Sequence, residues 1–364
     1  MRTIRNWTPE MAALEPQTWS RRGVLLGAGA LAACGPAQRT AGKAGAAGGH
    51  VNVYTARHYD ADKQIYALFK ERTGIEVRAL ASNGDQLIER LRAEGEATEA
   101  DLVVTVDAGV LWRLTEAGLL QGVTSPTLEA AAPARFHDPQ GRWWAFSKRY
   151  RVIVYKKGAV DPAELASMDA LTTPRFARQI CARTSSNTYN LSMLAARIER
   201  DGRAKALAWA RAVRGNFARD PQGSDTDQIK AVAAGECQAA IVNHYYFLRL
   251  KASGDAAERA IADEVGVVFP DQAGAGAHVN ISGAGVSTYA KRKAAAVQLL
   301  EFFFTPEAQR AFQELNEEFP VRPDAELIPT LAEFGRFREE QVAFDALGRN
   351  QPEAAKVFEE AGWK

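Results

Sequence analysis

The pattern of apolar residues predicts an α/β protein of two lobes, each a mixed sheet flanked by helices, joined by extended crossings. Three observations carry this: a βαβαβ opening, one long extended run near the middle, and a strand–helix rhythm that restarts after it. Val51-Asn52-Val53-Tyr54-Thr55 reads as a strand. Asp62 to Arg72 then places Ile65, Leu68 and Phe69 on one helical face, and Thr73-Gly74 ends it. Ile75 to Leu80 is a second strand, Leu87, Ile88 and Leu91 mark a second helix, and Asp101 to Val106 is a buried strand. A helix with Val110, Leu111 and Leu114 follows. Strands alternating with helices in this way pair in parallel under a helical cover.

Arg149 to Tyr155 is the long extended run, after a Trp143-Trp144 loop. Beyond it come strands at Gln179–Arg183, Gln238–Val242 and Val265–Pro270, with helices over Asn190–Arg200 and Asp225–Ala234 between them. Gly274-Ala275-Gly276 is a second crossing point, His278 to Ser287 is extended, and the remainder is helical, with Leu299, Leu300 and Phe303 as its apolar face. Two lobes with two crossings is a bilobal binding-protein architecture; two independent α/β domains in tandem is the alternative. The expected boundaries are lobe 1 at 51–150, lobe 2 at 151–270, a return to lobe 1 at 271–320 and a C-terminal helical segment at 321–364.

The first 50 residues are an address and a tether. Ser20-Arg21-Arg22-Gly23-Val24-Leu25-Leu26 resembles a twin-arginine export motif, followed by an apolar run from Gly23 to Ala33. Such a run is too short to cross a bilayer, which takes about 20 residues. Leu31-Ala32-Ala33-Cys34 resembles the lipobox of bacterial lipoproteins, whose cysteine carries the lipid; a plain secretory signal is the other reading. Residues 1–33 are thus expected to be a signal peptide, and 34–50 a lipidated Cys34 with a Gly/Ala-rich tether. The expected location is the periplasm, tethered to the membrane. Without the signal, 41 basic residues face 42 acidic ones, which gives no support to nucleic-acid binding.

Catalytic signatures are missing. The sequence has no Gly-x-Ser-x-Gly elbow, no phosphate-binding Gly-x-x-x-x-Gly-Lys-Ser/Thr loop, no His-Glu-x-x-His and no Cys-x-x-Cys. An enzyme is therefore not expected.

Tyrosine placement is the positive signal. Tyr59, Tyr189, Tyr245 and Tyr246 sit in polar segments just past predicted strand ends, where open α/β sheets bind ligands. A phenol is neutral at pH 7, with a pKa of about 10, but a trivalent cation supplies the field to remove its proton. Three phenolates neutralise Fe3+; a fourth leaves the site near −1, which an arginine could offset. Hard oxygen donors favour Fe3+, and His58 would complete a five-ligand shell. Each tyrosine taken alone reads more readily as half-buried packing with a wet hydroxyl. Strand alternation would also send Tyr245 and Tyr246 to opposite faces unless the chain has already turned.

Four segments, taken together, resemble the ferric-iron-binding periplasmic proteins of ABC transporters, FutA-type. They are Tyr54-Thr55-Ala56-Arg57-His58-Tyr59-Asp60, Arg183 to Asn190, Gly215 to Arg219 with Pro221-Gln222-Gly223, and Asn243-His244-Tyr245-Tyr246. The resemblance spans about Val51 to Arg322. It implies a class II (type II) periplasmic-binding-protein fold, a monomer, Fe3+ as the transported ligand, and delivery to an inner-membrane ABC permease. It puts the iron ligands on His58, Tyr59, Tyr189, Tyr245 and Tyr246. Asn316-Glu317-Glu318-Phe319-Pro320 resembles a later family segment, with Phe319 where a tyrosine is common; no ligand role follows.

Several residues carry open alternatives. Ser185 and Ser186 could hold an accompanying anion or cap the next helix, the latter being favoured. Asp225 and Asp227 read as caps, and Arg57 and Arg151 as charges behind the site or equally as solvated or hinge-packing side chains. A Cys181–Cys237 disulfide fits an oxidising compartment. Another cargo on the same fold (Fe2+, an anion or a polyamine) is the first rival, and an envelope enzyme the second.

Overall fold

The computed structural model describes residues 49–57, 59 and 61–364. The export motif, Cys34, most of the tether and His58 lie outside the described residues.

Ten strands form the framework: β1 (His50–Thr55), β2 (Glu76–Ala81), β3 (Leu102–Thr105), β4 (Leu120–Gln121), β5 (Trp144–Lys156), β6 (Ile180–Cys181), β7 (Ala239–Asn243), β8 (Val265–Val268), β9 (Val279–Ser287) and β10 (Phe319–Pro320). β1 pairs in parallel with both β2 and β3, as the βαβαβ opening requires. β9 then lies antiparallel between β3 and β5, which makes the sheet mixed.

β5 is what makes two sheets one framework. Its first part, Trp144 to Tyr150, pairs with β9; from Arg151 onward it pairs with β7 and, from Ile153, with β8. β6 completes the second sheet, parallel to β7. Ten of the thirteen residues of β5 are buried, and only Lys148, Tyr155 and Lys156 are more open. The chain returns between β8 and β9, across the predicted Gly274–Gly276 crossing. The fold is the bilobal α/β architecture expected.

Each sheet has its own apolar cover. Under the first, Phe69, Phe146, Phe302, Phe303 and Phe312 pack together from three helices and β5. Under the second, Trp363 from the chain end meets Trp209, Phe217 and Phe358, with its indole N–H donated to the Arg183 carbonyl at 2.9 Å. Burying such a side chain contributes about 1.5–3 kcal/mol. Cys181 and Cys237 form the disulfide that the sequence allowed, with Cα atoms 5.8 Å apart. It pins β6 to the lead-in of β7.

Four α-helices escaped the sequence reading: Pro126–Ala131, Arg203–Gly215, His244–Lys251 and Ala256–Asp263. Among the described residues no helix is long and apolar enough to cross a membrane.

Candidate metal centre

Tyr59 lies four residues beyond the end of β1. Tyr189 is the second residue of the helix Thr188–Asp201, after β6. Tyr245 and Tyr246 are the second and third residues of His244–Lys251, which starts directly where β7 stops. The last three therefore stand in first helical turns rather than in turns past strand ends. This also disposes of the alternation problem: β7 has ended, and the two rings lie 4.4 Å apart on one side.

The hydroxyls meet. Tyr59 Oη lies 3.2 Å from Tyr245 Oη, which in turn donates to Tyr189 Oη at 3.3 Å. Asn243 Nδ2 donates to Tyr245 Oη at 3.2 Å. A residue that follows a first-sheet strand is thus in hydrogen-bond contact with residues that follow second-sheet strands. Among the described residues no group of three or more His, Cys, Asp or Glu is placed to hold a metal ion. Phenol oxygens are the clustered donors.

Positive charge surrounds these rings. The Arg249 guanidinium carbon is 4.8 Å from the Tyr59 ring centre, 4.7 Å from that of Tyr245 and 5.8 Å from that of Tyr246. Arg57 lies 4.8 Å from the Tyr59 ring and Arg149 5.9 Å from the Tyr189 ring. Cations over aromatic faces gain from the ring quadrupole, and gain more once a ring oxygen carries charge.

The comparisons with known proteins agree on one group. Residues 64–337 match the model of the bacterial extracellular solute-binding proteins. Iron uptake protein A1 of Synechocystis is 41% identical over 346 residues, covering 94% of this chain and 95% of that one. The solved Trichodesmium FutA (IdiA), in complex with iron and citrate ligands, superposes with a TM-score of 0.82 at 43% identity, over 86% of this chain and all of that one. The Campylobacter jejuni ferric binding protein gives 0.83 at 37%, with the same coverage. The chain belongs to the ferric-binding group of the extracellular solute-binding proteins. Its members are binding proteins rather than enzymes, and they work outside the cytoplasm.

In this solute-binding protein the phenols hold their protons tightly. Burial, then the neighbouring phenols, push Tyr59 and Tyr245 well above the usual tyrosine range, against the pull of Arg149. Tyr246 is pushed up to about 12, chiefly by burial. Without a cation these groups are neutral hydroxyls; only a strong positive field deprotonates them. Tyr189, Tyr245 and Tyr246 sit at helix N-termini, where the backbone favours negative charge.

His244, beside the pair, has both ring nitrogens engaged by the backbone and none free for a metal. Its Nδ1 accepts from the Tyr150 amide at 3.2 Å and its Nε2 donates to the Glu317 carbonyl at 2.9 Å. Burial lowers its pKa to about 3, so it stays neutral.

The expected helix caps are redistributed. Asn187, not Ser185 or Ser186, caps Thr188–Asp201; Ser186 Oγ instead faces Thr184 Oγ1 at 3.1 Å. Ser224 caps Asp225–Ala234, with Asp227 completing the capping box. Asp225 is a buried counter-ion: it takes Arg151 at 3.1 Å and the Asn243 amide at 3.1 Å. Arg151 also donates to Asn190 at 2.7 Å and Asn243 at 3.3 Å, so it ties together the two helix starts that carry Tyr189 and Tyr245. Arg57 is buried, holding Asp62 through two bonds of 2.8 and 3.0 Å.

Three charged neighbours went unseen in the sequence: Arg149, Arg249 and Glu318. Glu318 is fully buried between Arg57 and Arg149, at 3.1 Å from each. Burial would raise its pKa, yet the two arginines and the Ser147 hydroxyl hold it below the usual carboxylate range. No local pattern marks Glu318, because the partners that hold it are distant in sequence. Glu318 directly precedes β10 and, like Phe319 and Pro320 in it, is buried.

Proposed function

We propose that this protein captures one Fe3+ ion with the phenolate oxygens of Tyr59, Tyr189, Tyr245 and Tyr246, with His58 as a fifth ligand, and delivers it to an ABC permease. The observation that carries this is the contact of Tyr59, Tyr245 and Tyr189 hydroxyls at 3.2 and 3.3 Å, drawn from segments that follow strands of two different sheets. Oxygens packed that closely at one point repel once ionised, and a single high-valent cation is what relieves them. Four phenolates on Fe3+ leave −1, and Arg249, lying over three of the rings, supplies the offset.

Because the donors arrive from both sides of the cleft, metal binding favours the closed arrangement and opening releases the cargo. The lobe boundaries near 150/151 and 270/271 suit this, since β5 changes partners at Tyr150/Arg151. Cys34 would tether the folded body to the membrane after twin-arginine export, close to its permease.

The test is metal analysis with a visible spectrum of the purified protein. One Fe3+ per chain with a phenolate-to-iron charge-transfer band is expected, and both are lost or reduced in Tyr189→Phe and Tyr246→Phe. A colourless protein that takes Fe2+, an anion or a polyamine instead would sink the reading.

A further inference from the structure

We infer that Glu318 is a positioning residue for cation capture, a buried staple that sets the spacing between Tyr59 and Tyr189 by holding the two arginines beneath their rings. This rests on the tyrosine reading of the site.

Glu318 comes from the segment between the helix Pro306–Asn316 and β10, far in sequence from either tyrosine. Its carboxylate bridges two guanidinium groups, with Arg57 Nη1 also reaching Oε1 at 3.4 Å. Oε2 takes Arg57 Nη1 and Nη2, both at 3.1 Å, while Oε1 takes Arg149 Nη2 at 3.1 Å. Ser147 Oγ donates to Oε2 at 2.9 Å. Ser282 Oγ accepts from both arginines, which fixes them relative to each other from a second side. The remaining donors of Arg57 go to Asp62, and Arg149 reaches the Ile281 and Val106 carbonyls.

Each arginine then presents its face to a different phenol: Arg57 to Tyr59 at 4.8 Å, Arg149 to Tyr189 at 5.9 Å. Those two tyrosines follow strands of different sheets, and their hydroxyls bracket that of Tyr245. A planar guanidinium fork held at both ends has little freedom, so a ring resting on it inherits the position. Two adjacent cations with no carboxylate between them would instead repel and separate. Outer partners of this kind change metal affinity without touching the metal, commonly by roughly 10- to 100-fold.

The experiment compares wild type, Glu318→Gln, Glu318→Asp and Glu340→Gln, each loaded with Fe3+ from a citrate chelate. Glu318→Gln keeps the shape and loses the charge; Glu318→Asp keeps the charge but is one methylene too short to serve both arginines. Glu340 pairs with His278 and Arg200 and touches none of the tyrosines, so its variant controls for breaking a buried ion pair. Both Glu318 variants are expected to lose roughly 10- to 100-fold in Fe3+ affinity and to shift the visible band. Glu340→Gln should leave the band in place. If Glu318→Gln does not fold, Glu318→Asp decides alone. A coloured wild type beside Glu318 variants of native affinity and unshifted band overturns the positioning role only. A wild type without any visible band overturns the tyrosine reading and takes this role with it.

Discussion

The two sides of the tyrosine cluster are built differently. The side belonging to the second sheet supplies three phenols on two helix starts. Arg151 locks those starts to each other through Asn190 and Asn243, and a disulfide braces the strands beneath. The first-sheet side supplies Tyr59 alone, on irregular chain past β1, supported by Arg57 below and Arg249 above. One side is a pre-organised half-site; the other brings a closing contact. On the function proposed above, the cation would bind the three-phenol side first, and Tyr59 would join as the cleft shuts.

That contrast can be attacked most strongly with acid. Each bound phenolate displaces one proton, so affinity drops about one decade per pH unit for every protonated phenol it replaces. Tyr59, Tyr245 and Tyr246 all have raised pKa values, so all three enter as neutral hydroxyls at neutral pH. With Tyr189 as the fourth phenol, competition titration between pH 8 and pH 6 should show a slope approaching four decades per unit. A flat profile means that phenols are not the donors.

Next in size, Tyr245→Phe should cost on the order of a hundredfold or more in Fe3+ affinity, beyond what an outer partner costs. Its hydroxyl is the one that touches both Tyr59 and Tyr189. Tyr59→Phe should cost less at equilibrium but remove closure: iron still binds the half-site, and small-angle scattering no longer reports compaction. Equal losses in the two variants would erase the asymmetry.

The disulfide offers a milder probe. It closes a loop with 56 residues of sequence separation, worth about 4 kcal/mol on the chain-entropy account. Cys181→Ser with Cys237→Ser should lower unfolding stability by roughly 2–5 kcal/mol and weaken the three-phenol side more than Tyr59. Denaturant unfolding of the two forms measures it.

Much of this architecture was legible in the chain. The βαβαβ opening and the long run around Arg149–Tyr155 announced a mixed sheet and its crossing, because apolar periodicity is a local signal. The helix His244–Lys251 was not legible. It begins without any side-chain cap, so Asn243-His244 followed by two tyrosines reads as a turn. The helix Arg203–Gly215 likewise starts at an uncapped Gly202. For the cluster, phenols at strand ends could be picked out one by one. The charges that hold them could not: Glu318 and Arg149 are 169 positions apart and meet only through the packing of β5 against β10.

The most direct measurement is a crystal structure of the iron-loaded protein with the metal located by its anomalous signal. The account predicts one iron bonded to the oxygens of Tyr59, Tyr189, Tyr245 and Tyr246 together, with Arg249 still lying over the rings. Iron found elsewhere, or bonded to phenols from one side only in the closed form, would contradict it.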